Sequence, residues 1–248
     1  MSESHVDFSI ARQAAWAPGL ATTARWREWA REPWPLAPTE EPKVAAMPAM
    51  LRRRAGFLGR MALEVAYECL DGQLGVPTVF CSRHGEVGRA VDLLAELARG
   101  EPLSPTAFGL AVHNASAGLF SIARADRANH VALAGGAATI EHAVIEACGQ
   151  LADGAPTVLL VACDTVLPDG LRQFEDCEEQ PFAFAWAMTA AGAGERLRLS
   201  WRACVDEQKE EAMGMPGGLA LLRFQHGAAD TLARSAGGKR WTWSRHAD

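Results

Sequence analysis

The chain has 248 residues, 49% apolar and 22% charged, which is enough apolar surface for one large α/β domain or two small ones. A formal net charge of −6 argues against nucleic acid or an anionic membrane as the main partner. No apolar run is long enough to span a bilayer, and the polar stretch Met1 to Val6 lacks a signal-peptide layout, so a cytoplasmic protein is expected.

In chain order, Val6 to Trp16 alternates loosely and stops at Pro18-Gly19, predicting a strand and a turn. Thr22 to Arg31 predicts a short helix with Trp26 and Trp29 on one face. Pro33, Pro35, Pro38, Pro42 and Pro48 exclude regular structure from the next stretch. Phe57, Leu58, Met61, Ala62, Val65, Ala66, Cys69 and Leu70 repeat at helical spacing. Pro77 to Ser82 predicts a buried strand, and Val87, Val91, Leu94 and Ala98 mark a helix closed by Gly100. Ser104 to Ala123 carries no charge and predicts a buried helix with an irregular approach.

Val131 to Ala134 predicts a second strand, running through Gly135-Gly136 into a helix. Thr157 to Cys163 is continuously apolar, which suits the centre of a sheet covered on both faces. Phe182 to Met188 and Leu197 to Trp201 alternate in period two around Gly192 and Gly194, predicting an antiparallel hairpin. Leu219 to Phe224 suggests one more strand. Residues 227–248 have little periodicity and are expected to be a poorly structured extension of a domain spanning residues 1–226. The whole predicts a mixed sheet between helical layers.

Chemistry is sparse. The six cysteines, Cys69, Cys81, Cys148, Cys163, Cys177 and Cys204, include no CxxC pair, so no metal site and no cofactor are expected. Arg52, Arg53 and Arg54 read as a solvated helix start. Cys81 with His84 and Glu86, or Cys163 beside Asp164 at a strand end, could in principle form a thiolate site. The opposing reading makes both buried strand cysteines, and the adjacent aspartate would raise the thiol pKa of Cys163. His113 and Asn114 lie in small, apolar sequence and line either a pocket, an interface or the core.

Ser104-Pro105, Asn114, Ala117-Gly118, then Ala137-Ala138-Thr139 with His142-Ala143, then Pro181-Phe182 and Gly192-x-Gly194, occur in that order. This series resembles the N-terminal half of ketoacyl synthases of the thiolase fold. Phe8-Ser9-Ile10, Ala15-Trp16-Ala17-Pro18-Gly19, Leu58-Gly59-Arg60-Met61-Ala62, Ser82-Arg83-His84-Gly85-Glu86, Ser104-Pro105-Thr106-Ala107-Phe108 and His113-Asn114-Ala115 extend the likeness over most of residues 6 to 225. They are similar to the chain-length factors found with aryl-polyene-type gene clusters.

The resemblance implies an α/β fold, a thiolase-like half-fold with an α/β/α layered mixed sheet. It also implies where chemistry should sit. The family's nucleophile is a cysteine at a strand-to-helix turn, where the helix N-terminus lowers its pKa and backbone N–H groups hold the oxyanion. Here that position is Ala137, or Gly136 if the register slips, and the family's two histidines belong to a second half that this sequence does not contain. The implied role is a non-catalytic partner of a catalytic ketosynthase, as a heterodimer or larger complex. It would act on chains carried by acyl carrier protein in polyene or fatty-acid-like biosynthesis. Phe108, Leu110, Val112, His113, Asn114 and Phe120 would then lie at the partner interface or its acyl tunnel. An acyltransferase or thioesterase using Cys81 or Cys163, and a stand-alone homodimeric acyl-binding protein, remain the other readings.

Overall fold

The first strand, β1 (Ser4–Trp16), sets the architecture because it runs through the middle of the sheet. The computed structural model describes residues 3–192, 194–204 and 214–245. After β1 come α1 (Thr23–Arg31), α2 (Ala49–Arg52), α3 (Phe57–Leu70), β2 (Thr78–Cys81), α4 (Val87–Ala98), α5 (Pro105–Gly109) and α6 (Ala115–Arg124). Then follow β3 (His130–Leu133), α7 (Thr139–Ala152), β4 (Val158–Asp164), β5 (Phe182–Ala190), β6 (Glu195–Ala203), α8 (Gly217–His226), β7 (Thr231–Ala236) and β8 (Lys239–Arg245).

The strands form one mixed sheet in the order β3-β2-β4-β5-β1-β6-β8-β7. β3, β2 and β4 are parallel, and every other pairing is antiparallel. All seven residues of β4 are buried, as its unbroken apolar run predicts for a strand covered on both faces. One cover is α3 with α6. Met61, Ala62, Val65, Ala66 and Cys69 of α3 bury against the odd-numbered side chains of β4 and the alanines of β5. The other cover is α7, α1 and α8, where Ala143, Val144 and Ala147 meet Leu160, Phe184 and Trp186. This is the α/β/α layering expected of a thiolase-like half-fold.

Three expectations are corrected. β5 and β6 do not form a hairpin: β1 lies between them and pairs with both. Period-two alternation assigns faces, not partners, and β1 holds its place with a bidentate Asp7–Arg198 pair at 2.7 and 2.8 Å. Residues 219–224 are helical within α8, since a short run apolar on all sides does not distinguish strand from helix. The C-terminal stretch is not a loose extension. Through Arg245 it forms the β7–β8 hairpin, paired to β6 from Leu197 to Ala203; residues 246–248 lie outside the described residues. Trp241 and Trp243 on β8 are fully buried, and truncating such a tryptophan costs about 3–5 kcal/mol.

Candidate functional site: the turn after the edge strand and the ends of β2 and β4

β3 is an outer strand of the sheet, bonded among the described residues to β2 alone. Its C-terminal end leads through Gly135 into a single helical turn, Gly136–Ala138, and directly into α7. Gly135 N–H donates to Thr139 Oγ1 at 2.9 Å, and that hydroxyl donates to the Gly136 carbonyl at 2.7 Å. The turn is therefore closed on itself. Ala137, at the position the resemblance assigns to the nucleophile, presents a half-buried methyl group. A methyl group cannot attack a thioester.

Two titratable groups, Glu141 and His142, lie beside that turn. Glu141 is buried and accepts from Arg234 Nη1 at 2.9 Å. Arg234 Nη2 donates to the Ala137 carbonyl at 2.7 Å. His142 packs edge-on against Trp241, with ring centroids 5.4 Å apart.

Neither cysteine candidate is presented for chemistry. Cys81 and Cys163 are buried, and burial, followed by the charge of Asp164, pushes both thiols well above their ordinary pKa. A thiolate nucleophile needs the opposite environment. Cys163 Sγ lies 4.0 Å from the Cys81 carbonyl. His84 instead turns to the guanidinium of Arg83, 3.2 Å away, and to Glu179, 3.7 Å away.

The ends of β2 and β4 hold a polar network. Ser82 Oγ and the Arg83 backbone N–H both donate to Asp164 Oδ1, at 2.9 and 2.8 Å. The Gly85 N–H donates to Ser82 Oγ at 2.8 Å. Burial lifts the Asp164 carboxyl to about 6, against the pull of Arg83 and of those hydrogen bonds. Asp164 also lines a pocket of about 330 Å³ with Phe57, His84, Glu86, Arg89 and Val166. This is the crevice where chain order reverses across β2, a common ligand position in open α/β sheets.

Among the described residues, Asp176, Cys177 and Glu179 offer metal-ligand atoms within 4.8 Å of one another. Arg83 fills that space: its guanidinium donates to Cys177 Sγ at 2.8 Å and to Glu179 Oε1 at 2.9 Å, and pairs with Asp176. A resident guanidinium satisfies the acidic group in the way a metal would, so the donor set does not fit an added ion.

The interface candidates separate into two groups. Phe108 and Val112 are exposed, at 67% and 44%. Leu94, Leu97 and Leu103, on α4 and the approach to α5, are exposed as well. Leu110 is half-buried. Phe120 faces the chain's own core, with its ring 5.1 Å from Tyr67 and 5.9 Å from Phe80, so it is not available to close a partner's tunnel. Asn114 is exposed at the start of α6. His113 points inward, with Nε2 2.9 Å from the Ser82 carbonyl and 3.3 Å from the Leu133 carbonyl. Carbonyl oxygens only accept, so Nε2 carries the proton.

Sequence reading missed Arg234, Glu141 and the Ser82–Asp164 pair. The alternation of Leu232, Arg234 and Ala236 with the Trp241-Thr242-Trp243 pattern was the available signal for the hairpin that carries Arg234.

Solved structures share this fold. A chain from the ketosynthase ApeO in complex with its chain length factor ApeC, from Xenorhabdus doucetiae, is 26% identical with a TM-score of 0.84, over 97% of this chain and 100% of that one. The AntDE:AntF complex, a type II PKS acyl-carrier protein with its ketosynthase bound to the hexaketide, is 12% identical with a TM-score of 0.57, over 76% of this chain and 64% of that one. The ishigamide ketosynthase/chain length factor is 13% identical with a TM-score of 0.55, over 76% and 59%. At those two lower identities the likeness shows the fold alone. No curated protein matches the sequence. No helix among the described residues is long and apolar enough to cross a membrane. Residues 26–244 match the family described as beta-ketoacyl synthase, N-terminal domain, and the chain belongs to that family.

Proposed function

We propose that the chain is a non-catalytic, chain-length-factor-type partner of a catalytic ketosynthase, stabilising it and bounding the space its growing acyl chain can occupy. The observation that carries this reading is Ala137: this chain builds a strand, a turn and a helix at the position the resemblance assigns to the nucleophile, and the side chain there is a methyl. The docking surface follows from the sheet. Among the described residues β3 has one unpaired side, and an unpaired edge is a template for another strand. Leu94, Leu97, Phe108 and Val112 add an exposed apolar face on α4, α5 and the segment beyond them, of the kind that marks protein interfaces. Phe108 and Val112, exposed on that face, would be the side chains that reach a partner's acyl tunnel. The ketosynthase–chain length factor complex from Xenorhabdus doucetiae supports the pairing. The acyl chains would be polyene- or fatty-acid-like and delivered on acyl carrier protein.

The test is co-expression with a catalytic ketosynthase, followed by sizing and assay. A stable complex that condenses acyl and malonyl thioesters, with an inert isolated chain, is the expected result. Condensation or malonyl decarboxylation by the pure chain would overturn the reading.

A further inference from the structure

The C-terminal hairpin meets the turn after β3 through one side chain. Arg234, on β7, spans two acceptors: the Glu141 carboxylate on the first turn of α7, at 2.9 Å, and the Ala137 carbonyl, at 2.7 Å. The same Glu141 oxygen lies 3.4 Å from Trp243 Nε1 on β8. Gly217, at the start of α8, leaves the room the guanidinium occupies; a Cβ there would collide with it. Elements β7, β8, α7 and α8 thus converge on one arginine.

Glu141 is 1% exposed and the Arg234 side chain 19%. An ion pair this buried is poor evidence of stabilisation, because well-packed apolar residues of similar volume often do as well. What an apolar pair could not do is hold the backbone carbonyl of Ala137. A planar guanidinium can, since it donates in two directions from a fixed fork.

We propose that Arg234 is a positioning residue that clamps the Gly136–Ala138 turn through the Ala137 carbonyl, so that the edge strand β3 and the start of α7 are presented to the ketosynthase in one conformation. The docking half of this proposal rests on the function proposed above; the clamp itself is a property of the isolated chain.

Hydrogen exchange on the isolated chain tests the clamp, and titration with a ketosynthase tests its use. Arg234→Lys keeps a cation beside Glu141 but loses the fixed planar fork that holds both acceptors at once. It should speed exchange of the amides at 135–139 by about tenfold while leaving the β7–β8 ladder as protected as in the wild type. The same variant should weaken the complex by about tenfold in Kd. Arg234→Met should act the same way on the turn; if that variant does not fold, the lysine variant decides alone. Unchanged exchange at 135–139 overturns the proposal. So does loosening of the turn and the hairpin together in the lysine variant, which marks ordinary structural support. A wild-type chain that binds no ketosynthase refutes the function and the docking half with it, while the exchange result still judges the clamp.

Discussion

A Cβ atom on Gly85 would lie 2.5 Å from Nδ1 of His113. Gly85 has a φ of +57°, where a side chain is already strained, and the imidazole packs in the space its missing methyl leaves. From there His113 Nε2–H reaches the carbonyls at the ends of both β2 and β3. Gly85→Ala should therefore cost about 2–4 kcal/mol, combining left-handed backbone strain with overpacking. His113→Ala should cost about 1–3 kcal/mol by removing the imidazole donor from the Ser82 carbonyl, while the Leu133 carbonyl keeps the Ser82 N–H. The double variant should be less destabilised than the sum, because the first change needs the imidazole to clash. Strict additivity in urea unfolding would show that the two do not share this space.

Much of this arrangement was legible in the sequence, and the limits have physical causes. The helices over Phe57–Leu70 and Val87–Ala98 follow from periodicity, and the strand β4 from its unbroken apolar run. The turn at Ala137 was found through motif order rather than periodicity. Strand partners were not legible: β5 and β6 look adjacent until β1, from the other end of the chain, inserts between them. Arg234 and Glu141 were invisible for the same reason, being 93 residues apart in sequence. Phe108 and Phe120 have similar neighbours in sequence, yet one is exposed and the other packs on Tyr67. Only the break between α5 and α6 separates them.

Ala137→Cys should not create a synthase. The new thiol would stand at the turn, but Glu141 is ion-paired with Arg234, which weakens it as a base for a thiol. The expected outcome is no burst of acyl-enzyme and no turnover above the wild-type background, measured by mass spectrometry of the intact chain with an acyl thioester. Stoichiometric acylation at position 137 followed by condensation would contradict this.

Val131→Lys should separate docking from folding. Val131 sits on the four-residue edge strand, half-buried, and belongs to neither core cluster. A lysine on an edge strand opposes pairing with another chain. The isolated wild type should self-associate at high concentration, and the variant should sediment as a monomer with a near-wild-type Tm while losing the ketosynthase. A wild-type chain that is monodisperse at high concentration and a variant that still binds would remove β3 from the interface.

Phe108→Ala should leave the isolated chain's stability within about 0.5 kcal/mol, because the ring is exposed rather than packed. In the complex, removing the ring should open space for extra methylenes, each worth about 0.8 kcal/mol when buried, and shift products towards longer chains. A complex that assembles normally and yields an unchanged product distribution would exclude the tunnel role for this residue.

Asp164, which is buried, and His226, which is half-buried, should give the chain opposing pH responses. The Asp164 carboxyl is lifted by burial to about 6, above the unfolded value of about 3.9. The folded state therefore holds that proton more tightly, and stability falls as pH rises from about 4 to 6, by on the order of 3 kcal/mol. His226 stacks on Trp26, and burial, followed by Arg27 and Arg245, lowers it to about 4. Its unfolded value is about 6.5, so its contribution is complete above that pH and is lost as pH falls towards 4. In the wild type the two slopes oppose each other between about 4 and 6. Asp164→Asn keeps an acceptor for Ser82 and the Arg83 N–H but cannot titrate, so this variant should lose more stability on acidification than the wild type. His226→Phe keeps an aromatic ring on Trp26 and should lose less, or gain. Urea midpoints at pH 4.5 and 7.5 decide the matter, and variants whose differences between the two pH values match the wild type would show that neither group titrates from a shifted value in the fold.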